Sequence, residues 1–538
     1  MAPLTNRFWP GIPGWQKERG RCNLGVMHPS SPAIWTFPPL VTADEMRKVE
    51  SMAMAAGVAE ESLMDAAALG LAEAVQDWLP TAGTAIIFAG KGHNAGDAFA
   101  MAGHLADAGW RVEIRLAWPE AALRPLAAKK LDQIRNKVHF AELEAREVPP
   151  GRPLLLVDGL LGIGARGALE GPARHGVRQI NRLRQQGHAV TLAVDLPSGL
   201  GISQETVTAD LTVTLGWPKE ELFTDDAASA AGRLLMVALP GLTVPEPGGT
   251  PARDVLVTAE GLRAWLPPRP AFAKHKGQSG RIGILAGSTG LTGAARLAAT
   301  AAAMMGGGLV TLFCPRAAYE ILAAACPPEV MVRPVASCHE VRDFPLDALG
   351  IGPGLGAAPP PLLGDLLRND PRPMVVDADA LNVLAAGPWW SGGRLHFAGP
   401  RLLTPHPGEL GRLVQKLDPG LSGKPRRAQA LALTQATGAV VLAKSARSFV
   451  IGPHQPAAYN GTGHPLMARG GMGDVLTGFL SVFAGQGLPL YEAAALGSWL
   501  LGRAGELYHQ TTGWEEPGLA SDVMCQAAGA AMAELRNS

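Results

Sequence analysis

Short runs of consecutive apolar residues recur along this chain with helical stretches between them, and that alternation limits the fold more than any other feature. In the first half the runs are 84–89 (Thr-Ala-Ile-Ile-Phe-Ala), 111–117, 153–158 (Pro-Leu-Leu-Leu-Val-Asp) and 189–195. Helical patterns fall near 97–108, 120–136 and 172–186. A run apolar at every position has no face for water, so it belongs in a sheet covered on both sides, with the helices carrying the chain back for parallel pairing. Two helical faces come first, one marked by Met46, Val49, Met52, Ala53 and Ala56, the other by Leu63, Ala66, Ala67 and Leu71. The series closes at 232–241, and the Pro/Gly-rich stretch 243–251 reads as a linker. Beyond it strands are expected at 281–286, 308–313, 347–351, 373–377 and 439–443, and helices at 293–305, 317–325, 425–437, 472–484 and 490–509. The fold class is therefore α/β, two domains over 36–242 and 255–538 joined through 243–254, each a largely parallel sheet flanked by helices. The halves share no sequence period and are not repeats.

At 538 residues the chain is too long for one core. Lys plus Arg equals Asp plus Glu at 47 each, so no basic excess points to nucleic acid or an anionic membrane. Cys22, Cys314, Cys326, Cys338 and Cys525 are odd in number and never spaced C-x-x-C, which fits a reducing cytoplasm without structural zinc. The longest apolar stretches are broken by polar residues, so no membrane span is expected. Residues 1–35, rich in Pro and Gly and without period, are expected to be a disordered tail or the product of an upstream start codon, with Met27 a candidate start.

In parallel sheets ligands bind beyond the carboxyl ends of strands, and the polar motifs of both halves fall there. Gly90-Lys-Gly-His-Asn-Ala-Gly-Asp-Ala-Phe99 follows the first run, its glycines spaced one residue too long for the dinucleotide fingerprint. Asn94 and Asp97 stand at its turn into a helix, where Asp97 has an ordinary role as a first-turn acid. Asp158, before the glycine-rich 159–164, and Asp195, in Asp195-Leu-Pro-Ser-Gly199, end the next strands. One acid at a strand end is weak evidence, but three successive loops bearing Asn/Asp, Asp and Asp/Ser form a hard oxygen set suited to an alkali or alkaline-earth cation.

In the second half, Gly470, Gly471 and Gly473 precede Asp474 and a long apolar helical run. Glycines let consecutive N–H groups converge, and the helix dipole adds positive potential, so this is an anion hole suited to phosphate. A carboxylate at its mouth is out of place unless it handles a proton or a metal. Four other segments carry weight: His275-Lys276-Gly277, the loops at 287–295, Gly352-Pro-Gly-Leu-Gly356, and Thr404-Pro-His-Pro-Gly-Glu409, where prolines frame His406. Lys444-Ser-Ala-Arg-Ser448 ends a strand with cationic and hydroxyl groups fit for a nucleotide phosphate.

The loop 90–99, the Asp158 loop and Asp195-Leu-Pro-Ser-Gly together resemble the NAD(P)H-hydrate epimerase domain, over about residues 40–242. The resemblance implies a Rossmann-like domain with potassium held by Asn94, Asp158 and Ser198. It also implies hydrate contacts from His93, Asn94, Ala95, Gly96 and Asp97 and from Gly162, Ile163, Gly164, Ala165, Arg166, Gly167 and Ala168, with Asp195 at the reacting centre. The second-half motifs resemble the ribokinase-like NAD(P)H-hydrate dehydratase over about 255–538. That resemblance implies ADP or ATP, with Mg2+, on Lys444, Ser445, Ala446, Arg447, Ser448 and Gly473, and hydrate on Ala294, Gly354, His406 and Asp474. Together the halves are similar to the bifunctional family that repairs hydrated NADH and NADPH, with Asp195 and Asp474 catalytic and a homo-oligomer without nucleic-acid or membrane partners as the expected form. The rival readings are a ribokinase-like small-molecule kinase with a nucleotide-binding first domain, and a nucleotide sensor without turnover.

Overall fold

The computed structural model describes residues 37–145, 151–187, 189–244, 253–269, 271–273, 275–513 and 521–537. The expected tail, the candidate start Met27 and most of the expected linker lie outside them. In the first half seven strands form one sheet: β1 (Thr84–Ala89), β2 (Arg111–Leu116), β3 (His139–Ala141), β4 (Leu154–Gly159), β5 (Val190–Val194), β6 (Leu211–Leu215) and β7 (Arg233–Val237). The spatial order is β3-β2-β1-β4-β5-β6-β7 and every pairing is parallel. The strand order reverses between β1 and β4, which opens a crevice at their carboxyl ends. Ile87 and Leu155 face the helices Glu60–Trp78 and His93–Asp107 with Leu71 and Phe99; Ile86 and Leu156 face Gly171–Gly187 with Val177 and Ile180.

Two differences from expectation matter for the site. The helix expected from 97 begins at His93, with Gly92 as its N-cap, so residues 93–96 form its first turn rather than a loop. β6 was not anticipated, because Leu-Thr-Val-Thr-Leu alternates as though one face met water; both threonines are buried, and Thr212 Oγ1 donates to Ala231 O at 2.7 Å. On the helix Ala43–Ala55, Met46, Val49 and Ala53 are buried as expected, whereas Met52 is exposed.

The second half contains β8 (Val255–Val257), β9 (Arg281–Leu285), β10 (Leu309–Pro315), β11 (Val330–Val335), β12 (Ala348–Ile351), β13 (Met374–Val376), β14 (Arg401–Leu403), β15 (Val440–Ala443), β16 (Phe449–Ile451) and β17 (Ala458–Asn460). Their order is β11-β10-β9-β12-β13-β14-β15-β16-β17-β8, parallel from β11 to β15, with β16 antiparallel to both neighbours. The reversal of strand order lies between β9 and β12. Helix Met472–Gly485 crosses this region against helix Thr292–Met304, and a Cβ on Gly478 would lie 2.4 Å from Ala298 O, so only glycine permits that approach.

The halves are stitched together by a segment outside both sheets. Leu256 donates to Pro38 O at 2.9 Å, Leu40 to Asp254 O at 2.8 Å, and Val41 to Pro218 O at 2.9 Å. Arg233 on β7 reaches the fully buried Glu506 of helix Leu490–Thr512 at 2.5 Å. Leu222, Phe223 and Leu234 share one apolar cluster with Leu256 and Tyr459.

Candidate functional site

At the β1/β4 crevice the strand ends bring together the side chains singled out in the sequence. Asp158 occupies the last turn of β4 with no exposure. Its Oδ2 accepts from the Ser198 N–H at 2.7 Å, and its Oδ1 from Ser198 Oγ at 2.7 Å and the Leu160 N–H at 3.2 Å. Ser198 Oγ also accepts from the Leu161 N–H at 3.0 Å, while Asn94 Nδ2 donates to Leu161 O at 3.1 Å. Asn94, Asp158 and Ser198 thus meet around residue 161. Burial pushes the Asp158 carboxyl up to about 6 despite its three donors. A desolvated carboxylate surrounded by neutral oxygens and amides is electrostatically short of a positive charge, which suits a bound monovalent cation. A Cβ on Gly162 would stand 3.2 Å from Asn94 Oδ1, so that side of the cradle is kept open by glycine.

Asp195, after β5, is buried with φ +66°, and the Leu196 N–H donates to Val194 O at 2.8 Å, closing a tight three-residue turn on it. Such a turn is strained for a residue with a side chain, and strain of this kind collects at functional sites. The hydrogen bonds of its carboxylate among the described residues fall on Oδ1: from Leu215 N–H at 3.0 Å, Thr214 Oγ1 at 3.2 Å and Lys219 Nζ. Oδ2 is left to meet a ligand. Asp97 lies one turn into its helix, not in the first turn as expected; burial first, then the charges of Asp195 and Glu50, hold its carboxyl well above the usual range. Glu50 is raised likewise by burial, with Lys219 opposing. Lys219 and Glu50 were not anticipated. Lys219 follows the unrecognised β6, and Glu50 sits on a helix read only for its apolar face.

The remaining first-half residues divide. Ala95 is fully buried, and Gly96 packs where a Cβ would strike Met64 Cε at 2.5 Å, so neither presents a side chain to the crevice. Residues 93–95 contribute first-turn N–H groups, which have no partner within the helix. His93 is exposed, with Nε2 3.1 Å from Glu60. Residues 162–168 form an exposed loop above the crevice, tied at Ile163 O by Arg47 Nη1 at 2.5 Å.

In the second half the strand ends of β13, β14 and β15 converge on the start of helix Met472–Gly485. Gly471, φ +96°, is its N-cap, and Asp474 lies in its first turn, half-buried. Burial and then the Asp377 charge push Asp474 up to about 6, against the opposing charge of Lys444. Lys444 Nζ donates to Asp377 Oδ1 at 2.5 Å, and Thr477 Oγ1 to Asp377 Oδ2 at 2.9 Å. A Cβ on Gly473 would lie 3.4 Å from Lys444 Nζ. His406 caps helix Pro407–Leu417, its backbone N–H on Glu409 Oε2 at 2.8 Å, its Nδ1 accepting from Gly408 N–H at 3.0 Å and its Nε2 3.3 Å from Glu409 Oε1, with the ring half exposed. Burial raises Glu409, which feels both Lys444 and Asp377. Gly354 and Ala294 pack together, a Gly354 Cβ standing 3.0 Å from that of Ala294, and Asp379 accepts from Gly356 N–H at 2.8 Å. Asp377 was missed although Met-Val-Val-Asp carries the same strand-end acid read at Asp158 and Asp195.

In the turn 444–448 the side chains are engaged within the protein: the Arg447 guanidinium is buried and donates to Gly232 O of the first half at 2.7 Å. Ser448 Oγ is occupied within its own turn, donating to Ser445 O at 2.8 Å and accepting from Ser445 N–H at 3.0 Å. Exposed Ser445 and Ala446 form the outer edge of that turn. His275-Lys276-Gly277 precedes β9 and so stands at the amino end of the sheet, away from the crevice, because a strand's entrance and exit lie on opposite sides.

A family model described as NAD(P)H-hydrate dehydratase matches residues 282–526, and one described as YjeF-related protein N-terminus matches residues 60–221. The chain is 35% identical over 504 residues to the bifunctional NAD(P)H-hydrate repair enzyme Nnr of Moorella thermoacetica, covering 87% of this chain and 92% of that one. It is 32% identical over 502 residues to the Coxiella burnetii protein of the same name, covering 89% and 96%. Among solved structures it is similar to an ADP/ATP-dependent NAD(P)H-hydrate dehydratase from Bacillus subtilis co-crystallised with ATP and Mg2+, at 26% identity and a TM-score of 0.44, over 52% of this chain and 97% of that one.

Proposed function

The chain belongs to the family of bifunctional NAD(P)H-hydrate repair enzymes, and from that membership we propose how its two halves divide the work. Hydrated NADH or NADPH carries water at C6 of the nicotinamide ring, as R and S epimers. The first half, 36–242, interconverts them; the second, 255–538, dehydrates the S form at the expense of ADP or ATP.

In the first half C6 is a carbinolamine carbon. Removing its hydroxyl proton lets the C6–N1 bond open to a C6 aldehyde, the bonding pair going to N1, which takes up that proton; after rotation N1 re-attacks the other face, returning the proton to the oxygen and inverting the centre. Asp195 Oδ2 takes that proton, while Lys219 and the Thr214 and Leu215 donors hold Oδ1 in place. The first-turn amides of 93–95 and the loop 162–168 bind the rest of the hydrate. Potassium on Asn94, Asp158 and Ser198 would supply the positive charge that Asp158 lacks and tie the three loops together.

In the second half the C6 hydroxyl is a poor leaving group until it is phosphorylated. Asp474 takes its proton as the oxygen attacks the terminal phosphorus of the nucleotide, and the bond from phosphorus to the bridging oxygen breaks. The amides at 471–473 and the helix end stabilise the charge on the moving phosphoryl group. Phosphate then leaves C6 with its bonding pair, pushed by the N1 lone pair, and loss of a C5 proton restores the dihydropyridine. Ala294, Gly354 and His406 line the hydrate side, and the 444–448 turn with Gly473 takes the nucleotide. Magnesium would arrive on the nucleotide phosphates, since among the described residues no cluster of acids is gathered to hold it on the protein. Cysteines odd in number and never spaced C-x-x-C support a cytoplasmic setting.

The observation that carries this reading is Asp474, a carboxyl raised to about 6 in the first turn of a glycine-started helix. A binding site for phosphate gains nothing from an acid there; a base does. Asp474→Asn is expected to keep nucleotide affinity and to lose dehydration by about 100-fold or more. Dehydration of the S hydrate near the wild-type rate by this variant would remove Asp474 from the chemistry.

A further inference from the structure

The turn at 444–448, read above as the nucleotide turn, is gripped by an arginine that the first half holds in place. Arg426, at the start of helix Arg426–Thr437, donates from Nη1 to Ser445 Oγ at 2.6 Å and from Nη2 to Arg447 O at 3.3 Å. The same residue is oriented by the first half: Nε donates to Asp225 Oδ1 at 2.7 Å, and the backbone N–H to Asp225 Oδ2 at 2.9 Å. The one carboxylate thus takes a charge-assisted bond from the guanidinium and a second from the backbone of the same residue, tying both the helix start and its side chain to Asp225. Arg447, inside the turn, leaves in the same direction. Its side chain is 1% exposed and donates to Gly232 O, and its Nε has no hydrogen-bond partner among the described residues. A cation buried on a carbonyl is costly to form and is held where the surrounding structure dictates. Both grips come from residues 225–232, between the first-half site and β7.

We propose that the first half sets the second half's affinity for its nucleotide, with Asp225 as the positioning residue and Arg426 as the relay. The proposal rests on the nucleotide reading of 444–448. Without the carboxylate Arg426 regains side-chain freedom, Ser445 loses a fixed donor, and the turn must be ordered at the expense of nucleotide binding. Asp474 and the amides at 471–473 belong to a different element and are untouched, so the effect falls on nucleotide KM and not on kcat.

The test uses the full chain and follows nucleotide KM, nucleotide Kd by calorimetry, kcat for S-hydrate loss, and R/S exchange. Asp225→Ala should raise the nucleotide KM and Kd about fivefold, the scale of a partly exposed charged pair. It should leave kcat and R/S exchange unchanged, and Asp225→Glu should recover most of the loss. In an Arg426→Ala background Asp225→Ala should add nothing. Unchanged nucleotide affinity in Asp225→Ala, alongside a clear loss in Lys444→Ala, would overturn the clamp while leaving the nucleotide site standing. Full additivity with Arg426→Ala would also overturn it, because Asp225 would then act by another route. If Lys444→Ala too leaves nucleotide affinity unchanged, the reading of 444–448 falls and the proposal with it.

Discussion

Asp474 and Asp158 are both carboxyls raised to about 6, yet opposite consequences follow because only one is asked to react. As a base Asp474 works ionised, and its native pKa lies above the ordinary 3.8, so the active form grows in as pH rises through about 6. The kcat for dehydration should therefore climb to a plateau with a midpoint near 6, and a profile flat across that range would deny Asp474 the role. For Asp158 the issue is stability. Its folded pKa exceeds the unfolded value, so its contribution is present at low pH and is lost as pH rises through about 6. A cation favours the ionised form and offsets that loss. Potassium should then raise Tm at about pH 7.5 and do little at about pH 5, lithium should be a poor substitute, and Asp158→Asn should abolish the difference. Equal stabilisation by both ions would take potassium off these residues. At this scale the sequence was most legible where an acid ends a strand and glycine follows. Lys219 was not legible, because its meaning comes from reaching Asp195 across a fold, and neither was the bond from Arg447 to Gly232 O of the first half.

Among the elements, helix Met472–Gly485 is the one on which the second site depends. It is buried along its length, and its closest approach to helix Thr292–Met304 runs through Gly478. Gly478→Ala puts a methyl 2.4 Å from Ala298 O and 2.8 Å from Ala301 Cβ. The helices must separate, at roughly 1–3 kcal/mol, and the glycine hole at the helix start moves with them. The expected outcome is a lower Tm and slower dehydration with R/S exchange unchanged; loss of exchange alone would show that the helix serves the other half. The long apolar runs gave strands within a residue or two, since a buried strand has no alternative to being apolar. Three-residue strands such as β13 and β17 are set by their neighbours' register, and β14 begins with Arg401, buried but satisfied by the carbonyls of Leu367, Asp370, Arg372 and Pro400. No periodicity announces such a residue.

For the whole molecule, two largely parallel sheets in series, with polar motifs after their strands, could be read from the runs. Their joining could not. Residues 37–41 bond to both halves, Arg233 pairs with buried Glu506, and Asp225 reaches Arg426, all contacts between segments far apart in sequence. The halves share that interface but have separate chemistry, and this division is the central claim. Its most direct test is chromatography of an R/S mixture of hydrated NADH with the full chain, with and without ADP or ATP, in parallel for Asp195→Asn and Asp474→Asn. The wild-type chain should equilibrate the epimers without nucleotide and consume both with it. Asp474→Asn should equilibrate and consume neither; Asp195→Asn should consume S and leave R to its slow spontaneous exchange. Rapid loss of both epimers in Asp195→Asn, or loss of hydrate without any nucleotide, would contradict it.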